Sequence, residues 1–251
     1  MKEKYKTIFI SDIHLGSIGC KAEFLLKFLK ETEADTYYLV GDIIDGWRIK
    51  SKFFWPQPHS DIVRRFLKIA RTKKIIWILG NHDEFLRSYL EYNLSFGNIE
   101  IKNECEFTDA NGKKYWVVHG DNFDGVVRYS KWLSFLGDHA YVFLIWLNHH
   151  FNKFRNWLGM PYWSLSKYLK SATKKALQFM DDYARVVSLD TKERGYAGVI
   201  CGHIHNPEDT YYDGIHYLNT GDWVENCTYL VEDLSGNLVV KRYVEITHGK
   251  S

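Results

Sequence analysis

The sequence predicts an α/β fold, and three observations carry that reading. Up to residue 79, apolar strands alternate with segments of helical periodicity, the rhythm of parallel strands joined by crossover helices. From residue 198 onward the chain returns to short strands separated by turn dipeptides. Between these blocks, residues 123–185 read as mostly helical, with no convincing strand.

The elements follow in order. Lys6–Ile10 alternates β-rich residues and reads as the first strand. Lys21–Glu33 places Phe24, Leu25, Phe28 and Leu29 at helical spacing. Thr36–Val40 is a second apolar strand, Ile62–Arg71 a second helix and Ile75–Leu79 a third strand. Glu100–Phe107 and Lys114–Val118 flank Asn111-Gly112, a hairpin signal. Gly198–Cys201 is a further strand. Thr210–Tyr212 and His216–Leu218 surround Asp213-Gly214, and Thr228–Glu232 and Leu238–Glu245 surround Gly236-Asn237. With only four prolines and no flexible run, the 251 residues read as one domain with a helical insertion at about 123–185.

Composition narrows the function. Lys+Arg (33) and Asp+Glu (31) nearly cancel, leaving a net charge of +2, so no broad basic face for long nucleic acid is expected. The four cysteines, Cys20, Cys105, Cys201 and Cys227, form no Cys-x-x-Cys pair and read as reduced thiols of a cytoplasmic protein. The opening MKEKYKTIFISD has too short an apolar run for a signal peptide or a spanning helix.

The chemistry lies where the strands end. Ser11-Asp12-Ile13-His14 follows the first strand, Gly41-Asp42-Ile43-Ile44-Asp45 the second, and Gly80-Asn81-His82-Asp83 the third. His119-Gly120-Asp121 follows Tyr115–Val118, and Gly202-His203-Ile204-His205 follows Gly198–Cys201. In α/β sheets ligands bind at the carboxyl ends of strands, so the five clusters are expected to share one pocket. Imidazole, carboxylate and amide oxygen suit Mn, Fe, Zn or similar divalent ions. No cysteine takes part, which argues against a structural zinc site. Seven donors exceed what one ion takes. A shared carboxylate, with Asp42 the best candidate, would hold two ions about 3.5–4 Å apart, the spacing used in phosphoryl chemistry.

These five motifs, in this order, resemble those of the calcineurin-like metallophosphoesterases. The resemblance runs from about residue 7 to residue 225. It implies two packed mixed β-sheets flanked by helices, an α/β/β/α sandwich, with a helical cap insertion. It implies one ion on Asp12, His14, Asp42 and His205, and a second on Asp42, Asn81, His119 and His203, activating a water for attack on phosphorus. His82 is then the catalytic residue facing the phosphate, stabilising charge or protonating the leaving oxygen. Asp45 and Asp83 become carboxylates that orient a ligand or His82, with Asp83 the candidate for positioning His82. By residue type alone, a capping or surface role for these two is equally open. His59, His139, His149, His150, His216 and His248 match no motif and read as structural.

Residues 129–168 interleave aromatics (Tyr129, Trp132, Phe135, Tyr141, Phe143, Trp146) with Arg128, Lys131, Lys153 and Arg155. The apolar run Ala140–Leu147 is too short to cross a bilayer. Such a segment either packs onto the domain or lies on an anionic membrane surface. The stretches "SDIHLG", "GDIIDGW", "HGDNFD" and "LNTGDWVENCTYLVE" are similar to the bacterial UDP-2,3-diacylglucosamine pyrophosphatase-like phosphoesterases. That resemblance implies hydrolysis of a lipid-linked UDP-sugar to UMP and a sugar-lipid phosphate in lipid A biosynthesis. It also implies manganese as the cofactor (Fe, Zn or Mg being the other candidates) and peripheral attachment to the cytoplasmic face of the inner membrane. One departure stands out: the best-known members carry Arg where this chain has His82. Two other readings stay open, a phosphodiesterase on another nucleotide or lipid phosphoester and a membrane-associated binding scaffold without turnover.

Overall fold

Alternation along the first strand sets the architecture. In β1 (Glu3–Ile10), Ile8 and Ile10 belong to one buried cluster and Phe9 to another, because successive side chains leave opposite faces of a strand. The first cluster lies under helices α1 (Ala22–Glu31) and α3 (Gln57–Ile69), which contribute Leu25, Phe28, Leu29, Ile62 and Phe66. The second is the seam between two sheets, where Phe9, Val40 and Ile78 meet Phe107, Val117, Ile200 and Leu218. The computed structural model describes residues 2–92, 95–123 and 180–243. It is a sandwich of two mixed sheets with flanking helices, as the resemblance implies.

The first sheet has the order β12-β11-β1-β2-β3-β5-β4, with β2 (Thr32–Val40), β3 (Lys74–Ile78), β4 (Ser95–Phe96), β5 (Ile99–Lys102), β11 (Thr228–Glu232) and β12 (Leu238–Arg242). Its centre, β1-β2-β3-β5, is parallel. The second sheet has the order β6-β7-β8-β10-β9, with β6 (Glu104–Thr108), β7 (Lys114–Val118), β8 (Gly198–Cys201), β9 (Glu208–Tyr212) and β10 (Ile215–Asn219). Here β7-β8-β10 is parallel and the edges are antiparallel.

Several boundaries differ from the sequence reading. The strand expected over Glu100–Phe107 is two strands, broken at Asn103: β5 completes the first sheet and β6 opens the second. Helix α1 stops at Glu31, because Thr32 donates both its N–H and its Oγ1 hydroxyl to the Phe28 carbonyl and begins β2 at once. Helix α3 starts earlier than expected, with Pro58 in its first turn where a missing N–H costs nothing. A short helix α2 (Gly46–Ser51) and a 3-10 helix over Glu84–Tyr92 were not expected. Each directly follows a polar strand end. The Asp213-Gly214 turn joins β9 to β10 with both residues at positive φ, +50° and +85°, as a two-residue primed turn requires.

The chain divides into two compact units, residues 1–121 with 187–251 and residues 122–186. Residues 180–193 are helical. Most of the expected insertion, with its aromatics, and His139, His149, His150 and His248 lie outside the described residues. His59 is buried under the first helices and accepts the Gly16 N–H at its Nδ1, 3.0 Å away, steadying the loop after β1. Burial holds its pKa below the usual 6.5. A histidine kept neutral in the fold contributes stability above its unfolded pKa and loses it as the pH falls. The melting temperature of His59→Gln is therefore expected to gain on that of the wild type as the pH falls from 7.5 to 5.5; parallel profiles would refute this.

Candidate metal centre

Five strand ends, β1, β2 and β3 of the first sheet and β7 and β8 of the second, deliver their polar turns to one place. Asp12, His14 and His205 form one group and Asp42, His119 and His203 another, the donor atoms of each lying within 4.8 Å of one another. In the first, His205 Nε2 is 3.2 Å from Asp12 Oδ1 and 3.3 Å from His14 Nε2. In the second, His119 Nε2 is 3.3 Å from Asp42 Oδ2. The groups adjoin through His14 Nε2, 3.8 Å from Asp42 Oδ2. Asn81 is also buried, on the turn whose Gly80 touches both Asp42 and His119.

The backbone is bent to achieve this. Asp12, His14, Asp42, His203 and His205 all sit at positive φ, between +50° and +72°. Non-glycine residues are uncommon there, and such strain concentrates at functional sites. Gly41, at φ +83°, packs so tightly on the His119 ring that any Cβ would collide with it. Gly202 packs in the same way against Asp12 and Ser11.

Around the donors is a layer of orienting bonds. His119 Nδ1–H donates to the Val40 carbonyl at 2.9 Å, which turns Nε2 toward the centre. Asp12 Oδ2 accepts the His203 N–H at 3.0 Å and lies against the Ser11 hydroxyl, which is 2.6 Å from Thr220 Oγ1. Asp42 Oδ1 accepts the His82 N–H at 2.9 Å. Asn226 Nδ2 donates to the His205 carbonyl. Ser11, Thr220 and Asn226 were not singled out from the sequence. They carry no motif spacing and matter only through contacts across the fold.

The donor set fits divalent ions. Among the described residues six buried side-chain atoms have no hydrogen-bond partner, and three of them belong to the donor set: Asp12 Oδ1, Asn81 Oδ1 and His119 Nε2. Two of these lie within 3.3 Å of an oppositely charged neighbour, yet out of hydrogen-bond alignment. A buried polar atom left so is costly, and a bound cation would relieve that cost. The electrostatics agree. Burial would raise the Asp12 and Asp42 carboxyls, but the surrounding imidazoles outweigh it and hold both well below the usual range. Burial would depress His119 and His205, but Asp42 and Asp12 draw them up to about 10 and about 9. The pocket therefore demands positive charge among its carboxylates, which a divalent cation also supplies.

His82 stands at the rim, its side chain 20% exposed. Its Nδ1 is 2.8 Å from Asp45 Oδ1 and its Nε2 lies 3.9 Å from Asp42 Oδ2. The Trp47 ring covers it at 4.2 Å. Burial lowers its pKa, but the Asp45 bond and the Asp42 charge raise it overall. Asp45 also reaches His14 Nδ1 at 3.4 Å, so one carboxylate serves both imidazoles. The expectation for Asp83 needs correction. Its carboxylate points away from His82 and accepts the N–H groups of Ile43 and Ile44 at 3.0 and 2.8 Å, with the Trp77 indole at 3.4 Å. Adjacent residues on a tight turn face opposite ways, so Asp83 props the Asp42 turn and Asp45 holds His82.

Comparison with known proteins follows the same line. The sequence profile described as calcineurin-like phosphoesterase matches residues 5–207. The DNA polymerase II small subunit of Methanothermobacter thermautotrophicus is 28% identical over 160 residues, covering 52% of this chain. The alignment spans 33% of that relative's length. Among solved structures, YfcE, a phosphoesterase from E. coli, aligns with TM-score 0.46 and 14% identity, covering 95% of this chain and 99% of its own. An archaeal phosphodiesterase aligns with TM-score 0.44 and 14% identity over 94% and 98% of the two chains.

Proposed function

The chain belongs to the calcineurin-like phosphoesterase family, whose members are metal-dependent hydrolases, and from that premise we propose that it cleaves the pyrophosphate of a lipid-linked nucleotide sugar, with UDP-2,3-diacylglucosamine the type substrate. The observation that carries the phosphoester chemistry is that three candidate ligand atoms, Asp12 Oδ1, Asn81 Oδ1 and His119 Nε2, are buried without a hydrogen-bond partner. In this reading Asp12, His14, Asp42 and His205 hold one divalent ion and Asp42, Asn81, His119 and His203 the other, with manganese the proposed metal. Bound ions would lower the pKa of water and neutralise phosphoryl oxygens. The chain's own groups do the rest. Asp45 accepts from His82 Nδ1–H, which leaves Nε2–H free to face the phosphate. Water adds to phosphorus and gives up one proton to solvent, the bridging P–O bond breaks, and His82 Nε2 donates its proton to the departing oxygen and is then reprotonated from solvent.

The lipid part rests on other support. Trp47, against His82, is 41% exposed, and Phe85, packed on Gly46, is 47% exposed. Apolar rings at the mouth of a polar site suit a substrate with an apolar portion. The four sequence stretches shared with the diacylglucosamine enzymes point the same way. No helix among the described residues is long and apolar enough to cross a membrane, and the proposed attachment is peripheral, on the cytoplasmic face of the inner membrane. We read the chain as one catalytic domain carrying the insertion at about 123–185. The departure at His82 favours a second reading, hydrolysis of another nucleotide or lipid phosphoester.

Purified protein with Mn²⁺, offered UDP-2,3-diacylglucosamine and bis-p-nitrophenyl phosphate, tests the proposal. Release of UMP from the lipid is expected, with His82→Ala lowering turnover about 10²–10⁴-fold. Cleavage of the soluble ester alone would replace the lipid assignment with the second reading. Cleavage of neither, by protein shown to carry ions, would favour a scaffold.

A further inference from the structure

One charged side chain beside the centre belongs to no family motif. Arg87 lies on the 3-10 helix Glu84–Tyr92, five residues beyond His82. Its Nη2 donates to Asp121 Oδ2 at 2.6 Å and approaches the Leu79 carbonyl at 3.4 Å. Both acceptors have telling positions. Leu79 ends the run of β3, two residues before Asn81. Asp121 stands two residues after His119, beyond Gly120 at φ +110°. The guanidinium thus ties the turn bearing Asn81, from the first sheet, to the turn bearing His119, from the second.

The remaining ligand turns are fastened differently. Asp12 and His14 donate their N–H groups to the carbonyls of Gly41 and Asp42, which locks the first two turns together. The Gly202 N–H donates to the His119 carbonyl, which locks the last two. The His203 N–H on Asp12 and His119 Nδ1 on Val40 already bridge these assemblies, and Arg87 adds the tie between the turns bearing Asn81 and His119. Asp121 is only 8% exposed, so the pair is less screened by water than an ordinary surface ion pair. Both acceptors are met by one nitrogen, Nη2, whose N–H directions are fixed by the guanidinium plane, whereas an ammonium turns freely on its stem.

We infer that Arg87 is a positioning residue for the Asn81–His119–His203 half of the metal centre, setting the spacing of Asn81 from His119 through Leu79 and Asp121. The inference rests on the metal reading of that site. It predicts asymmetry: weakening Arg87 loosens one ion and spares the one assigned to Asp12, His14 and His205.

The test is a calorimetric titration of metal-stripped protein with Mn²⁺. Wild type is expected to take two equivalents. Arg87→Met keeps most of the apolar stem and is expected to bind one equivalent as wild type does and the other about 10–100-fold more weakly, the usual cost of removing a group that orients a ligand. Arg87→Lys, which keeps the charge but not the fixed N–H directions, is expected to fall between the two. Melting of the metal-free proteins separates positioning from general support, since a merely structural residue would lower the metal-free melting temperature and leave both affinities alike. If Arg87→Met binds both equivalents as wild type does, or weakens both equally, the inference is overturned. If wild type takes up no second equivalent, the two-ion reading itself fails, and the inference with it. Should Arg87→Met not fold, Asp121→Asn, which removes the charge from the other side, must show the same one-sided loss.

Discussion

Asp42→Asn is expected to reduce hydrolysis of any phosphoester to background, a loss of at least about 10²–10³-fold, the scale set by removing one electrostatic stabiliser from a reaction centre. Asp42 is 2% exposed and stands among three imidazoles, with His119 Nε2 at 3.3 Å, His14 Nε2 at 3.8 Å and His82 Nε2 at 3.9 Å. The amide keeps an oxygen for the His82 N–H and preserves the shape. It removes the one negative charge that both proposed ion positions would share. It also removes the largest attraction that draws His119 up to about 10, leaving only Asp12 and Asp121 to offset the burial of that ring. Metal content by mass spectrometry, measured beside activity, locates the fault. Loss of turnover with loss of metal is the expected pair. A variant that keeps two ions and a tenth of the wild-type rate would show that Asp42 is not the shared ligand.

Gly80→Ala is expected to cost the fold as well as the chemistry. Gly80 needs no unusual φ, so the reason for glycine is space. A Cβ there would lie 2.6 Å from the Asp42 backbone N and 2.7 Å from His119 Cδ2, and nearer still to Asp42 Oδ1. None of these can yield cheaply. The Asp42 amide is backbone, and the His119 ring is held at its other nitrogen by Val40. Overpacking of this kind costs about 1–3 kcal/mol. For a chain of this size that lowers the melting temperature by about 2–12 °C, at roughly 2–4 °C per kcal/mol. Because the methyl would wedge Asp42 away from His119, activity should fall with stability. Thermal melting and turnover of the same preparation check both, and an alanine variant unchanged in each would show that the strand end is slacker than described.

Much of this site was legible before any fold was known, for a physical reason. Metal-type donors at fixed short spacings, each placed where an apolar strand halts, form a local signal, and the five turns carry it one by one. What spacing cannot convey is direction. Asp83 sits beside His82 in the chain, and adjacency suggested partnership. The turn sends the two side chains opposite ways and gives His82 to Asp45, 37 positions back. Contacts across the fold are similarly silent. Arg87 and Asp121 are 34 residues apart, with no periodicity linking them. The break at Asn103 was invisible because the two-residue period of Ile99, Ile101, Cys105 and Phe107 runs straight across it, while the two halves of the run belong to different sheets. The left-handed backbone of five donor residues could not be read either. Asp and His tolerate that conformation, but nothing in their identity announces it.

The two donor groups share a property that bears on handling the protein. Each draws members from both sheets: Asp12 and His14 with His205, and Asp42 with His119 and His203. Away from this end the sheets are joined by apolar packing around Phe9, Val40 and Ile200. Here they are joined by a few polar bonds, such as the His203 N–H on Asp12 and His119 on the Val40 carbonyl, and by whatever the donors grip. A cation seated there would act as a rivet through the two halves of the sandwich. Anything that binds only the folded form also stabilises it. Loading and robustness are then one property, and a preparation stripped by chelating resins or histidine-tag purification would be a frailer protein as well as an idle one.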